Sequence, residues 1–330
     1  MDKLRVAVIG AGAMGKSHIR VYFDMNNVEL VAVADSNEET LKEISKKYKV
    51  KTYRDYSEMI SKEKIDAASI CVPTIMHKEI GLKCIMNKIN VLIEKPIAKD
   101  TDEADQLIEE SKKNKTKLMI GHIERFNPVV VELKKRIEKN ELGKIYKVHC
   151  ARLSPFPQRV VDVGVIIDLA IHEIDILKYL INSKVKRVYA ETSRKIHSSH
   201  EDLLIGTLKF DNGIIGVINT NWLTPKKVRE ITVTGEKGMF VANYLTQELY
   251  FYENEFTKND YNGNFMNVTE GSMTKIKIIS KEPLRNELES FIDCIANLKP
   301  VPITGEDGKN AIIIAQKFQE SSKLNKVVEL

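Results

Sequence analysis

Residues 5–15 read Arg5-Val6-Ala7-Val8-Ile9-Gly10-Ala11-Gly12-Ala13-Met14-Gly15, and they constrain the fold more than any other stretch of this 330-residue chain. Val6 to Ile9 is an apolar, β-branched run of the length expected for a buried parallel strand. A glycine turn ends it, and a helical pattern begins around Ala13. Gly10, Gly12 and Gly15 have the spacing G-x-G-x-x-G. In such a strand–turn–helix unit the first glycine permits the tight turn. The second lets the backbone approach a pyrophosphate, and the third lets the helix lie close to the strand. The N–H groups at Ala13 and Met14, with the positive end of the helix dipole, would face the phosphates. Three glycines alone are equally compatible with a loop that binds nothing.

The next strand decides between these. Leu30 to Ala34 is apolar and ends at Asp35, twenty residues after Gly15, where a dinucleotide unit needs an acid to accept hydrogen bonds from the adenosine ribose hydroxyls. A carboxylate there repels the extra phosphate of NADP, and Ser36-Asn37 brings no arginine to reverse that, so the expected cofactor is NAD. The alternative for Asp35 is a strand-end turn residue.

Strands expected at 67–72, 90–94 and 117–121 alternate with helices of about ten to fifteen residues, the pattern of a parallel, doubly wound sheet. We expect this α/β Rossmann domain to occupy residues 1–122. The pattern then changes. Lys144 to Leu153 alternates as a strand, Ile167 to Ile181 is an amphipathic helix, and strand candidates follow one another from Val185 to about Ile279. Asp211-Asn212-Gly213 and Gly235-Glu236-Lys237-Gly238 have hairpin chemistry. Residues 257–272 are polar and read as a loop, and Leu284 to Asn297 and Gly308 to Lys323 as two closing helices. Residues 123–330 should therefore form an α+β domain with a mostly antiparallel, open sheet. Its free face suits a homo-oligomer, dimer or tetramer.

The formal net charge of +5 comes from scattered lysines, with no arginine-rich block or basic stripe, which argues against nucleic acid as a partner. No apolar stretch reaches the roughly 18 residues a membrane span requires. Cys71, Cys84, Cys150 and Cys294 are far apart and have no metal-site spacing. We read them as core residues in a reducing cytoplasm and expect neither a signal peptide nor a metal.

In an open α/β sheet, ligands bind beyond the carboxyl ends of the strands. Pro73, Thr74 and His77 follow one such end, and each is a candidate cofactor contact; His77 can equally be a helix-start residue without a ligand. Glu94-Lys95-Pro96 follows another. A lysine there can bond both the nicotinamide ribose and a substrate hydroxyl, stabilising alkoxide character as hydride leaves, or be a solvated loop residue. Asp168 and His172 lie four apart on an otherwise apolar helical stretch. A neutral imidazole can take a hydroxyl proton, and a neighbouring carboxylate supports the cation formed. A purely structural Asp–His pair is the alternative.

Together, Gly10-Ala11-Gly12-Ala13-Met14-Gly15, Glu94-Lys95-Pro96 and Asp168-x-x-x-His172 resemble the Gfo/Idh/MocA oxidoreductases, over essentially the whole chain. The resemblance implies NAD or NADP and reversible oxidation of a sugar or cyclitol hydroxyl. It assigns the bridging lysine to Lys95, the general acid/base to His172 and substrate orientation to Asp168. Residues 121–128 and 155–165 further resemble nucleotide-sugar members of the family. That implies oxidation of UDP-N-acetylglucosamine at C3 and coupling to a sugar aminotransferase. A UDP-sugar diphosphate needs cations. Arg125, Arg152 and Arg159 are the candidates, Arg159 first, with Lys226, Lys227 and Arg229 at a later strand entry. Competing readings are a dehydrogenase of a UDP-aminouronate or inositol, and a non-catalytic sensor of NAD and a sugar nucleotide.

Overall fold

The structure is a computed structural model describing residues 3–157, 163–258 and 266–330. The chain runs β1 (Leu4–Ile9), α1 (Ala13–Phe23), β2 (Val28–Ala34), α2 (Glu38–Tyr48), β3 (Lys51–Tyr53), α3 (Tyr56–Lys62), β4 (Ala67–Ile70), α4 (His77–Met86), β5 (Asn90–Glu94), α5 (Thr101–Asn114) and β6 (Leu118–Gly121). It continues with α6 (Pro128–Glu138), β7 (Ile145–Leu153), α7 (Ile171–Ile181), β8 (Val185–Ser193), β9 (Leu203–Phe210), β10 (Ile215–Asn221), β11 (Val228–Gly235) and β12 (Gly238–Asn243). The last elements are β13 (Glu248–Lys258), β14 (Met266–Ile276), α8 (Pro283–Ala296), α9 (Gly305–Leu324) and β15 (Val328–Glu329).

Two compact units emerge, Met1–Ile123 with Glu282–Ile313, and Glu124–Lys281 with Ile314–Leu330. In the first, six parallel strands take the order β3-β2-β1-β4-β5-β6. Order reverses between β1 and β4, which opens a crevice at their carboxyl ends. Central strands are buried on both faces: Val6, Ala7 and Val8 of β1 and Val91 to Ile93 of β5 have no solvent exposure. That is why they read as unbroken apolar runs. Helices start on side-chain caps where the sequence supplies them. Asn37 accepts from the Thr40 N–H at 2.9 Å, and Asp100 from that of Glu103, satisfying donors that the first helical turn leaves free.

The division at 122/123 expected from sequence differs from this in one respect. Residues 282–313, expected to close the second domain, return to the first unit. The Ile120 N–H donates to the Ile303 carbonyl, and Lys309 pairs with Asp105 of α5. At Gly305 a β-carbon would stand 2.5 Å from Ile108, so the start of α9 lies flush against α5 only because there is no side chain.

In the second unit nine strands among the described residues take the order β14-β13-β12-β11-β7-β10-β9-β8-β15. Only β7 and β10 pair in parallel; the other pairs are antiparallel. Along β7, Val148, Cys150 and Arg152 are buried while His149 and Ala151 are half-buried. The period of two leaves one face covered and one open. The pairing of β14 with β13 corrects part of the loop expected over 257–272: residues 257–258 and 266–272 are strand, while 259–265 lie outside the described residues. Among the described residues no helix is long and apolar enough to cross a membrane.

Candidate functional site

In the first unit the glycine turn has the shape its sequence demands. Gly10 has φ +88°, and a β-carbon there would stand 2.5 Å from the Cys71 carbonyl oxygen. At Gly15 a β-carbon would stand 1.9 Å from the Gly10 carbonyl oxygen. Gly12 is different: a β-carbon there meets nothing within 4 Å. The packing of this unit does not require glycine at 12, whereas a phosphate lying on that backbone would. Gly12 and Ala13 are exposed and Met14 half-buried. The first turn of α1 carries no acidic residue, so no side chain of the helix itself offsets its positive end.

Asp35 directly follows β2, and its carboxylate is held by backbone amides as the turn reading expects. Its Oδ2 accepts from the Ala11 N–H at 2.6 Å and its Oδ1 from the Asn37 N–H at 2.8 Å. These bonds fix the carboxylate at the edge of a cleft of about 380 Å³ lined by Gly10, Gly12, Asp35, Arg54, Val72 and Pro73, among others. Arg54 was missed from sequence. It follows β3, which pairs in parallel with β2, so its place beside Asp35 could have been read from strand order but not from spacing. The open backbone at Gly12, the fixed acid and the cleft fit a bound dinucleotide.

Two candidate cofactor contacts lie elsewhere. Glu94 is only 8% exposed and takes a 3.0 Å hydrogen bond from His18 Nε2; it braces the turn from behind. His77 is 1% exposed, with both ring nitrogens held by backbone carbonyls. Thr74, in a short turn before α4, and Lys95 are half-buried. His18, Cys71 and Glu94 bring ligand atoms within 4.8 Å of one another. Burial, with the charge of Glu94, pushes the Cys71 thiol well up.

In the second unit, Asp168 lies in one turn of π-helix, Ile166–Ala170, that runs directly into α7. There the Ile171 N–H reaches the Ile166 carbonyl, a wider loop than the α-helix makes. Sequence predicted a uniform helix; such wide turns are frequent where a side chain must be re-aimed. Glu201 anchors the start of the turn, its side chain accepting from the Ile166 N–H at 3.2 Å. Asp168 and His172 are half-buried, flanked by buried Ile166, Leu169, Ile171 and Ile174.

The arginines expected to meet a diphosphate are differently employed. Arg125 forms a two-pronged pair with buried Asp175, at 2.8 and 2.5 Å. Arg152 is 5% exposed and lies between Glu124, at 2.6 Å, and Glu173. Burial works against its charge, but the two carboxylates outweigh that and hold its pKa above the ordinary value. Both arginines complete buried ion clusters, so neither is free to exchange its carboxylates for a phosphate without leaving them uncompensated. Arg159 lies outside the described residues. Arg229 is left. It sits opposite Arg152 in the β7–β11 register, half-buried, and donates through Nη1 to the Leu153 and Val228 carbonyls at 2.9 Å. Burial, then repulsion from Arg152, lowers its pKa to about 10, while Asp168 is among the acids that pull it back up.

Two family models cover most of the chain. An oxidoreductase family model with an NAD-binding Rossmann fold matches residues 4–122, and the Gfo/Idh/MocA C-terminal domain model matches 130–241. The chain belongs to the Gfo/Idh/MocA oxidoreductase family. A myo-inositol 2-dehydrogenase of Thermotoga maritima is 27% identical, covering 99% of this chain and 98% of its own. A UDP-N-acetylglucosamine 3-dehydrogenase of Acidithiobacillus ferrooxidans is 25% identical over 96% of each chain. The solved structure of a UDP-N-acetylglucosamine 3-dehydrogenase from that organism superposes with a TM-score of 0.86, covering 98% of this chain and 99% of that one at 23% identity, a likeness of fold. Membership in the Gfo/Idh/MocA family makes residues 4–122 an NAD-binding domain and the chain an NAD-linked dehydrogenase.

Proposed function

We propose that this chain oxidises the C3 hydroxyl of UDP-N-acetylglucosamine to the 3-keto sugar, a product that a sugar aminotransferase would convert to a 3-amino sugar. NAD, when bound, supplies the hydride acceptor. His172 takes the hydroxyl proton, and Asp168 orients the hydroxyl and stabilises the imidazolium formed. Lys95 bonds the substrate oxygen and the nicotinamide ribose, favouring alkoxide character as hydride leaves. The second unit holds the substrate, and its open sheet face joins copies of the chain as a dimer or tetramer.

The observation that carries the substrate assignment is Arg229. It is a half-buried guanidinium, within the field of Asp168, with no carboxylate at ion-pair distance among the described residues. A neutral polyol gives such a cation nothing to neutralise; a sugar nucleotide does. Inositol oxidation is the second reading, favoured by the 27% identity to the Thermotoga maritima enzyme along nearly the full chain.

Product mass decides. The protein is mixed with excess NAD, a glutamate-dependent sugar aminotransferase and UDP-N-acetylglucosamine, with the corresponding UDP-uronate and myo-inositol in parallel. A 3-amino UDP-sugar from the first substrate alone is expected. An oxidised inositol with no sugar-nucleotide product overturns the assignment and the role given to Arg229.

A further inference from the structure

His77 begins α4 and is almost wholly enclosed. Its Nδ1 lies 2.8 Å from the Pro96 carbonyl oxygen and its Nε2 lies 2.9 Å from the Val72 carbonyl oxygen. A carbonyl oxygen can only accept, so each bond needs an N–H on the ring. A neutral imidazole has one N–H and an imidazolium has two. The two bonds exist together only in the imidazolium.

The two carbonyls belong to different segments. Val72 and Pro73 follow β4 and line the cleft beside Asp35; Pro96 follows Lys95 in the turn after β5. We propose that His77 is a positioning residue that, when doubly protonated, ties the cleft-lining backbone at Val72 to the Lys95-Pro96 turn, so that binding of the dinucleotide is linked to uptake of a proton by this ring. His77 touches neither cofactor nor substrate; it acts through the two segments it joins.

Its surroundings fit a ring that exchanges its second proton. Burial lowers the imidazolium pKa, and the Pro96 and Val72 carbonyls, the charge of Glu94 and the Ile97 backbone oppose this only in part. Facing groups on the neighbouring elements are otherwise engaged. Lys78 of α4 turns to Glu103 of α5 at 3.4 Å, and Glu79 accepts from the Tyr56 hydroxyl of α3. Burial therefore makes the ring's second proton easier to lose as pH rises, and one of the two ties goes with it. If closing both ties favours the bound dinucleotide, the bound dinucleotide must by reciprocity favour the proton.

NADH fluorescence and calorimetry on the full-length protein test this without a sugar substrate. Titrations between pH 5.5 and 8, in buffers of different ionisation enthalpy, give both affinity and protons taken up. The expected result is a fraction of a proton taken up per NADH near pH 6.5, with affinity falling roughly three- to tenfold as pH rises, the worth of one hydrogen bond. His77→Asn and His77→Gln keep one donor nitrogen that does not titrate, enough for one of the two carbonyls, and should bind with a pH-independent affinity near the high-pH wild-type value. Wild-type binding without proton uptake anywhere in this range overturns the proposal, as does uptake that survives in both variants. Failure to bind NADH at all would instead contradict the cofactor assignment.

Discussion

At Asp35 two opposite charges stand in the cleft of the NAD-binding domain. The carboxylate is fixed by the Ala11 and Asn37 amides, and Arg54 lines the same cleft from the end of β3. If Asp35 takes the adenosine ribose it repels a ribose phosphate, while Arg54, only loosely paired with Glu38 at 4.0 Å, is a cation that could receive one. Asp35→Ser alone, with no added arginine, should therefore shift preference toward NADP. Removing one repulsion and gaining one charge-assisted bond is worth about 1.5–3 kcal/mol, so the NADP:NAD ratio of kcat/KM should rise by roughly 10- to 100-fold. Adding Arg54→Ala should reduce the shift to the part that comes from relieved repulsion; an unchanged ratio in Asp35→Ser would sink the ribose-contact reading. His172 makes a different prediction. Its loss removes a proton acceptor and nothing from the dinucleotide cradle, so His172→Ala should lower kcat by about 10²–10⁴-fold with the NADH dissociation constant unchanged by direct titration. Substantial turnover at saturating substrate would place the general base elsewhere.

The β1–α1 unit shows how one spacing holds glycines of different kinds. Gly15→Ala would drive a methyl into the Gly10 carbonyl, and Gly10→Ala adds strain at a positive φ, so both should fold poorly. Gly12→Ala meets open space and should melt close to wild type while losing most of its NADH affinity. Equal melting and equal NADH binding would show that no phosphate approaches this backbone. Steric logic of this kind is legible in sequence because it is local: the strand, the turn, Asp35 and the order of strands and helices all follow from short-range patterns. What escaped depends on distant partners. Arg125 and Arg152 look like available cations until Asp175, Glu124 and Glu173 fold against them. The π turn at Asp168 is invisible in a residue string that reads equally well as α-helix. Residues 282–313 follow the second sheet in sequence, and nothing local says that Gly305 and Lys309 pack on α5.

For the whole molecule, the open face of the nine-stranded sheet carries the argument for assembly. Ile205 is 40% and Ile215 is 44% exposed, while Val217, Val241 and Tyr250 are half-buried on the same unit's strands. In β10 the alternation is plain: Gly216 and Ile218 are buried, and Ile215 and Val217 are not. A face with this much apolar surface is stabilised by covering it, and a second copy offers the same face. In a two-fold interface every residue is used twice. One Val217→Arg change would therefore place two bulky cations in the contact, each partly desolvated, a cost of about a few kcal/mol. Light scattering should find the wild type as a dimer or tetramer at micromolar concentration and the Val217→Arg variant largely monomeric. NADH binding should persist in that monomer, because the glycine turn, Asp35 and the cleft all belong to the other unit. A wild type that is monomeric at these concentrations refutes the interface. A variant that stays assembled moves it off this face, and the exposed isoleucines would then need another explanation.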